Sequence, residues 1–367
     1  MKRSIFTHML VAMCCISLST LFANRNSPAP TPTQRIYHNQ LTRIAKAKPL
    51  LADHPEFTQP IRDTVHYEAP VLVNDRDANL QVRAWRFSYN ARGVIEIPNQ
   101  LKASKTAIVV VHPWGIEDGQ GWKIPQPAGF AFGIPEEVEN INRHMRTILN
   151  PFLKSLRDQV ATVLYSLPGE ADPIRRKIYR TVDHQPTKQE RLQGREELEA
   201  KLRGFNYRAG GLPLAFKIST KRPVADYFRQ FPGGAFGDPY NGPGFWDLPV
   251  PVSKSIDVDP RDVVIFDSQG YEPLRDYLKH EGVEHVLLTG YHASLCYCST
   301  TAGYQNLERD FNVFLVGDAT LDIHPGVNTP SYATSTAISR ASREHLITQI
   351  SWIRTLANTP NQTTHQQ

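Results

Sequence analysis

Three reactive side chains stand where apolar runs end. His112 closes Thr106–Val111 (TAIVVV), Asp267 closes Asp262–Phe266 (DVVIF), and Cys296 follows His285–Thr289 (HVLLT) through Gly290–Leu295. A thiol, an imidazole and a carboxylate are the parts of an acyl-transfer nucleophile. The imidazole takes the thiol proton, and the carboxylate fixes its tautomer and supports the imidazolium. The reading predicts a helix opening at Cys296, whose dipole and free N–H groups would lower the thiol's pKa. N–H groups near His292, Ala293 and Cys296 would then receive a developing oxyanion. Each residue also has a plain structural reading. Free cysteine is often just a small buried side chain, His112 before Pro113 could end a strand, and Asp267 before Ser268 could be a turn residue. Cys298 reads as structural, with a redox pair to Cys296 as its alternative.

The elements that must position these groups follow from periodicity. TAIVVV, Val160–Tyr165 (VATVLY), DVVIF, HVLLT and Phe311–Val316 (FNVFLV) are apolar throughout, as strands buried on both faces are. Val138, Ile141, Met145, Ile148, Leu149, Phe152 and Leu156 recur at helical spacing, and Tyr271–His280 reads as a second helix. Strands alternating with helices imply a mostly parallel, doubly wound sheet in a three-layer α/β/α domain. In such sheets ligands bind beyond the carboxyl ends of the strands, where the winding reverses. Trp114 and Asp118, on the loop after the first strand, are pocket candidates; Asp118 and Glu117 are spare carboxylates there.

The stretch VEHVLLTGYHASLCYCSTTAGYQNLERDFNVFLVGDAT resembles the signature of the isochorismatase-like cysteine hydrolases. Gly290, Cys296, Thr300, Asp318 and Ala319 match it in spacing, and TAIVVV and DVVIF match the family's first and third strands. The resemblance covers roughly 104–167 and 255–357. It implies an isochorismatase-like fold, a nucleophilic Cys296, and a cis peptide at Tyr291-His292 or His292-Ala293, with His292 bordering the pocket. The family's usual set is Asp, Lys and Cys. This chain has His112 in the Asp position and Asp267 in the Lys position, so one acid–base arrangement is exchanged for another. The metal-binding cluster of some relatives is not matched at Tyr165–Glu170, so neither metal nor cofactor is expected.

The chain has 367 residues with 41 Lys+Arg against 36 Asp+Glu. That small, scattered excess gives no footprint for nucleic acid. Residues 1–23 combine a basic start, an apolar run and a small residue at Ala23, which reads as an export signal. Export would be to the periplasm or outside the cell, with no membrane contact after cleavage. Cys14 and Cys15 leave with the signal, so no disulfide framework remains. Residues 24–35 form a Pro/Thr-rich linker, 36–103 an N-terminal β-containing accessory region around a hairpin, and 104–357 the hydrolase domain. Within that domain 168–250 is an insertion, with a charged, solvated helix at Lys188–Arg203; 358–367 is a polar tail. The functional expectation is an exported hydrolase cleaving a small-molecule amide or related C–N bond through a thioacyl intermediate on Cys296, possible as a homo-oligomer. The alternative is a catalytically silent family member that binds a ligand or partner.

Overall fold

The computed structural model describes residues 42–45, 65–88, 90–115, 118, 135–204, 248–293, 295–322 and 349–355. In chain order, the elements begin with β1 (Thr42–Ile44), β2 (Val65–Glu68), β3 (Leu80–Ser88), β4 (Gly93–Leu101) and β5 (Thr106–Val111). Helix α1 (Pro135–His144), a π-helical segment (Met145–Leu149) and α2 (Asn150–Leu156) follow without a break. Then come β6 (Thr162–Leu167), α3 (Pro173–Ile178), β7 (Arg180–Thr181), α4 (Lys188–Gly204), β8 (Val263–Phe266) and α5 (Tyr271–His280). The described chain ends with β9 (His285–Gly290), α6 (Cys296–Ser299), α7 (Tyr304–Leu307), β10 (Asn312–Thr320) and β11 (Gln349–Thr355).

All strands join one sheet in the order β1-β2-β4-β3-β11-β10-β9-β5-β6-β8-β7. From β11 to β7 every neighbouring pair is parallel. The chain winds outward from β5 in both directions, through β6 and β8 on one side and through β9, β10 and β11 on the other. The switch point therefore lies between β5 and β9. The sheet is sandwiched, which is why its strands read as unbroken apolar runs. Ile108, Val110, Tyr165, Phe266, Leu287 and Phe314 pack with α1, α2, α3 and α4 on one face. Val109, Val111, Leu164, Ile265, Leu288 and Leu315 pack with α5 and α7 on the other. The layers are α/β/α. No helix among the described residues is long and apolar enough to cross a membrane.

Several expectations change on contact with the structure. The helix expected to run on from Cys296 is two single turns, α6 and α7, separated at Thr300–Gly303. A turn that short sums too few peptide dipoles to act on the thiol as a full helix would. The β3–β4 hairpin forms, but β3 also pairs antiparallel with β11, so the N-terminal strands extend the main sheet. Part of the stretch expected as an insertion is likewise built in, since β7 adds an edge strand. Helix α4 is charged yet buries Leu198 and Leu202. Its Gly194 lets it lie close on α3, where a Cβ would come within 2.7 Å of Lys177. The signal, linker and tail, along with Glu117, fall outside the described residues.

Candidate active site

Each site residue sits at the carboxyl end of a central strand. β5 runs into His112, whose backbone has φ 48°, a left-handed conformation that costs a β-carbon-bearing residue about 1–2 kcal/mol. Three backbone contacts hold it there. His112 N–H donates to Ser166 O (3.1 Å), Trp114 N–H donates to His112 O (2.9 Å), and Ser253 N–H donates to Pro113 O (2.9 Å). The neighbouring Gly290, φ 115°, is required by packing: a Cβ there would lie 2.2 Å from Val111 O. Strand β9 can thus close on β5 directly beneath His112.

Asp267 opens the turn after β8, and its Oδ2 lies 2.8 Å from His112 Nε2. Thr301 Oγ1 donates to Asp267 O (2.8 Å) and Ser268 N–H to Gly169 O (3.2 Å), which fixes the turn from two sides. The carboxylate accepts only, so Nε2 carries a hydrogen and Nδ1 is the nitrogen at which the ring gains or loses its second proton. Nδ1 is buried with no hydrogen bond of standard geometry. Burial by itself pushes the imidazole pKa down. The hydrogen bond to Asp267, with the hydrogen bonding and charge of Cys296 close by, overcomes this and raises it to about 9. The thiol therefore acts on the ring electrostatically without completing a well-formed bond to it, a looseness common before substrate arrives.

The loop before Cys296 contains the cis peptide Tyr291-His292, at one of the two bonds the family resemblance indicated. His292 O accepts from Leu295 N–H (3.0 Å) and Tyr297 N–H (3.2 Å), and Tyr297 Oη donates to Leu288 O (2.9 Å). Among the described residues, the N–H groups of Ala293, which is fully buried, and of Cys296 take no part in this pattern. His292 is buried; burial and the charge of His112 push its pKa down to about 3, so its ring is neutral. Trp114 is buried and tilted against His112, with ring centroids 5.5 Å apart. Asp118 accepts from Lys254 N–H at 2.7 Å and so tethers the 248–256 segment. Both described thiols are free, and Cys298 Sγ donates to Ala293 O at 3.1 Å. Burial, then the charges of Asp322 and Cys296, raise the Cys298 pKa.

Three residues near this constellation escaped the reading of the sequence. Asp322 is fully buried, its Oδ1 3.9 Å from His292 Nδ1. Arg175 is buried against Phe266, the residue before Asp267, its guanidinium 4.5 Å from that ring's centroid and bonded to Pro168 O, Glu170 O and Val250 O as well as paired with Asp172. His144 is fully buried within the α1–α2 helix. Its only sequence signal was a histidine inside the apolar stripe between Ile141 and Ile148.

Among the described residues one group has metal-ligand composition. Asp75, Glu284 and His285 bring potential donor atoms within 4.8 Å of one another. It lies at the amino ends of the strands, away from Cys296. Each donor is already engaged: Glu284 with Lys105 (2.6 Å), and His285 with both Asp75 (2.9 Å) and Asn312 (3.1 Å).

A doubly wound sheet with a thiol, an imidazole and a carboxylate at its switch point has the parts for covalent acyl transfer. The family model of the isochorismatase domain matches residues 225–342, about a third of the chain, including the Cys296 loop and beginning within the expected insertion. The resemblance read from the sequence is shown there: this segment is isochorismatase-like, in a divergent form, and the match points to hydrolysis as the reaction class. Among solved structures, the chain is similar to a cysteine hydrolase from Pseudomonas syringae pv. phaseolicola, at 14% identity over 67% of this chain and 88% of that one, with a TM-score of 0.32. It is also similar to a pyrazinamidase/nicotinamidase from Streptococcus mutans, at 12% identity over 66% and 94%, TM-score 0.32. A third likeness is a nicotinamidase from Staphylococcus aureus, at 10% identity over 65% and 95%, TM-score 0.27. No curated protein matches the chain.

Proposed function

We propose that this protein hydrolyses a small-molecule amide or related C–N bond through a thioester on Cys296. The observation that carries the reading is His112. It is held on left-handed backbone, tied by Nε2 to Asp267 at 2.8 Å, and left with a buried, open Nδ1 in the field of the Cys296 thiol. The thiol proton passes to Nδ1 and the sulfur adds to the carbonyl carbon. The oxyanion is received by the N–H groups of Ala293 and Cys296. The imidazolium, supported by Asp267, returns its proton to the departing amine as the C–N bond breaks. Water then attacks the thioester with His112 as base, giving a carboxylic acid and the free thiol. Exchanging the family's Asp and Lys for His112 and Asp267 keeps one base and one opposite charge at the site.

The test is site-resolved alkylation of Cys296 by iodoacetamide across pH, with ammonia release from a panel of small primary amides. A paired thiol reacts well below the ordinary thiol pKa. Ordinary thiol reactivity with no amide turned over would favour the silent, ligand-binding alternative and overturn the proposal. Export belongs to the same proposal and rests on the basic start and apolar run of residues 1–23. N-terminal sequencing of the protein recovered outside the cytoplasm tests it, with a mature chain beginning near residue 24 as the expected result.

A further inference from the structure

We infer that His144 is a positioning residue that sets where the Cys296 loop stands against His112; this rests on the proposed role of Cys296. His144 is the last residue of α1, fully buried, and immediately precedes the π-helical segment Met145–Leu149. Such segments often mark functional places in helices. Its Nε2 lies 2.9 Å from Asp318 O and its Nδ1 2.8 Å from Tyr291 Oη. A carbonyl oxygen only accepts, so Nε2 must bear the hydrogen. Nδ1 then carries the lone pair and accepts the Tyr291 hydroxyl hydrogen. Burial pushes the Tyr291 phenol well above its usual pKa, so that hydrogen stays in place. The two rings also meet edge to face, with centroids 5.7 Å apart.

The other end of Tyr291 explains why this matters for the site. Its N–H donates to Val111 O (2.9 Å), the residue before His112. Tyr291 is thus fixed to β5 by its backbone and to the helical layer by its side chain. The chain leaving it carries His292, Ala293 and Cys296. A phenol released from His144 frees the root of that loop, while β5 and β8 keep His112 and Asp267 where they are.

The test uses the full-length protein with Tyr291→Phe, His144→Leu and His144→Gln. Hydrogen–deuterium exchange is followed on the peptide spanning 289–299, and Cys296 alkylation is followed against pH. Loss of one buried hydrogen bond should raise exchange of the Leu295, Tyr297 and Cys298 amides about tenfold in Tyr291→Phe and His144→Leu. In both variants the alkylation profile should move up towards that of an ordinary thiol. His144→Gln, whose amide offers one acceptor and one donor, should stay close to wild type. Unchanged loop exchange in Tyr291→Phe overturns the inference, and so does exchange raised equally in peptides of β6 and β8. A wild-type Cys296 that alkylates as an ordinary thiol overturns the proposed function instead, and the exchange result still decides the positioning role.

Discussion

Two imidazole–carboxylate pairs, each with a buried ring, stand at opposite ends of the central strands, and they differ in the second ring nitrogen. His112 gives Nε2 to Asp267 at 2.8 Å and keeps Nδ1 open beside Cys296. His285, the first residue of β9, gives Nε2 to Asp75 at 2.9 Å, but its Nδ1 accepts the Asn312 amide at 3.1 Å. One ring has a nitrogen open to exchange a proton with the thiol, whereas the other is filled on both sides. A third pair, His66 and Glu96 at 2.8 Å, leaves Nε2 open, yet the described thiols lie several strands away beyond β9. A histidine held by a carboxylate is therefore ordinary architecture in this sheet. A base requires both a vacant nitrogen and a proton donor beside it.

The largest expected effect tests that difference directly. His112→Gln should lower amide hydrolysis by about 10²–10⁴-fold, the usual loss for a general base. It should also return Cys296 to the alkylation profile of an ordinary thiol. His285→Gln should leave both within about twofold, because it touches no reacting group. Equal losses of activity in the two variants, measured by ammonia release on correctly folded protein, would erase the distinction between the pairs.

The pH dependence of stability sharpens it. His112 has its pKa raised from 6.5 to about 9 in the folded protein. Its contribution is complete below about pH 6.5 and is lost as pH rises through 9. His292 is depressed from 6.5 to about 3. Its contribution is intact above about pH 6.5 and is lost as pH falls towards 3. Stability should therefore peak near pH 6.5 and fall away on both sides of it. Urea denaturation across pH checks this. His112→Gln should flatten the alkaline limb and His292→Asn the acidic one.

How much of this was legible in the sequence depends on which direction a side chain points. His112, Asp267 and Cys296 could be found because each ends an apolar run, and strand ends gather at one edge of a wound sheet. The layers could be read because strands sandwiched between helices must be apolar on both faces. The relay through His144 and Tyr291 could not, because it joins a helix interior to a strand end across 147 positions. Nor could Arg175, whose cluster of charges with Arg176 and Lys177 looks like a solvated face but whose guanidinium turns inward onto carbonyls. The helix at Cys296 was misread because residues 300–303 break it into two turns, and local propensity carries no sign of that break. Strand β11 went unread as well, since its place is set by pairing to β3 and β10 rather than by its own pattern.

A smaller effect belongs to the filled pair. His285→Leu leaves the Asp75 carboxylate and the Asn312 amide each short of a partner in a part-buried place. About 2 kcal/mol of stability should be lost, read from the urea midpoint at pH 7. Compared above pH 9, where the charge contribution of His112 is gone, His112→Gln should cost less than His285→Leu, since glutamine can still donate to Asp267. Reversal of that order would mean that the His112 pair is the structural one.

The smallest effect concerns the group that looks most like a metal site. Asp75, Glu284 and His285 have suitable donors within 4.8 Å, but a lysine ammonium already sits on Glu284. A divalent cation would have to evict Lys105, take the hydrogen from His285 Nε2 and break its bond to Asp75. Added zinc should consequently leave Tm unchanged to within about 1 °C, and Lys105→Met should shift it by no more, the ion pair being exposed. If zinc instead raised Tm by several degrees, His285 would have a nitrogen to spare after all. The contrast between a filled ring and an open one would then have to be drawn somewhere else in the molecule.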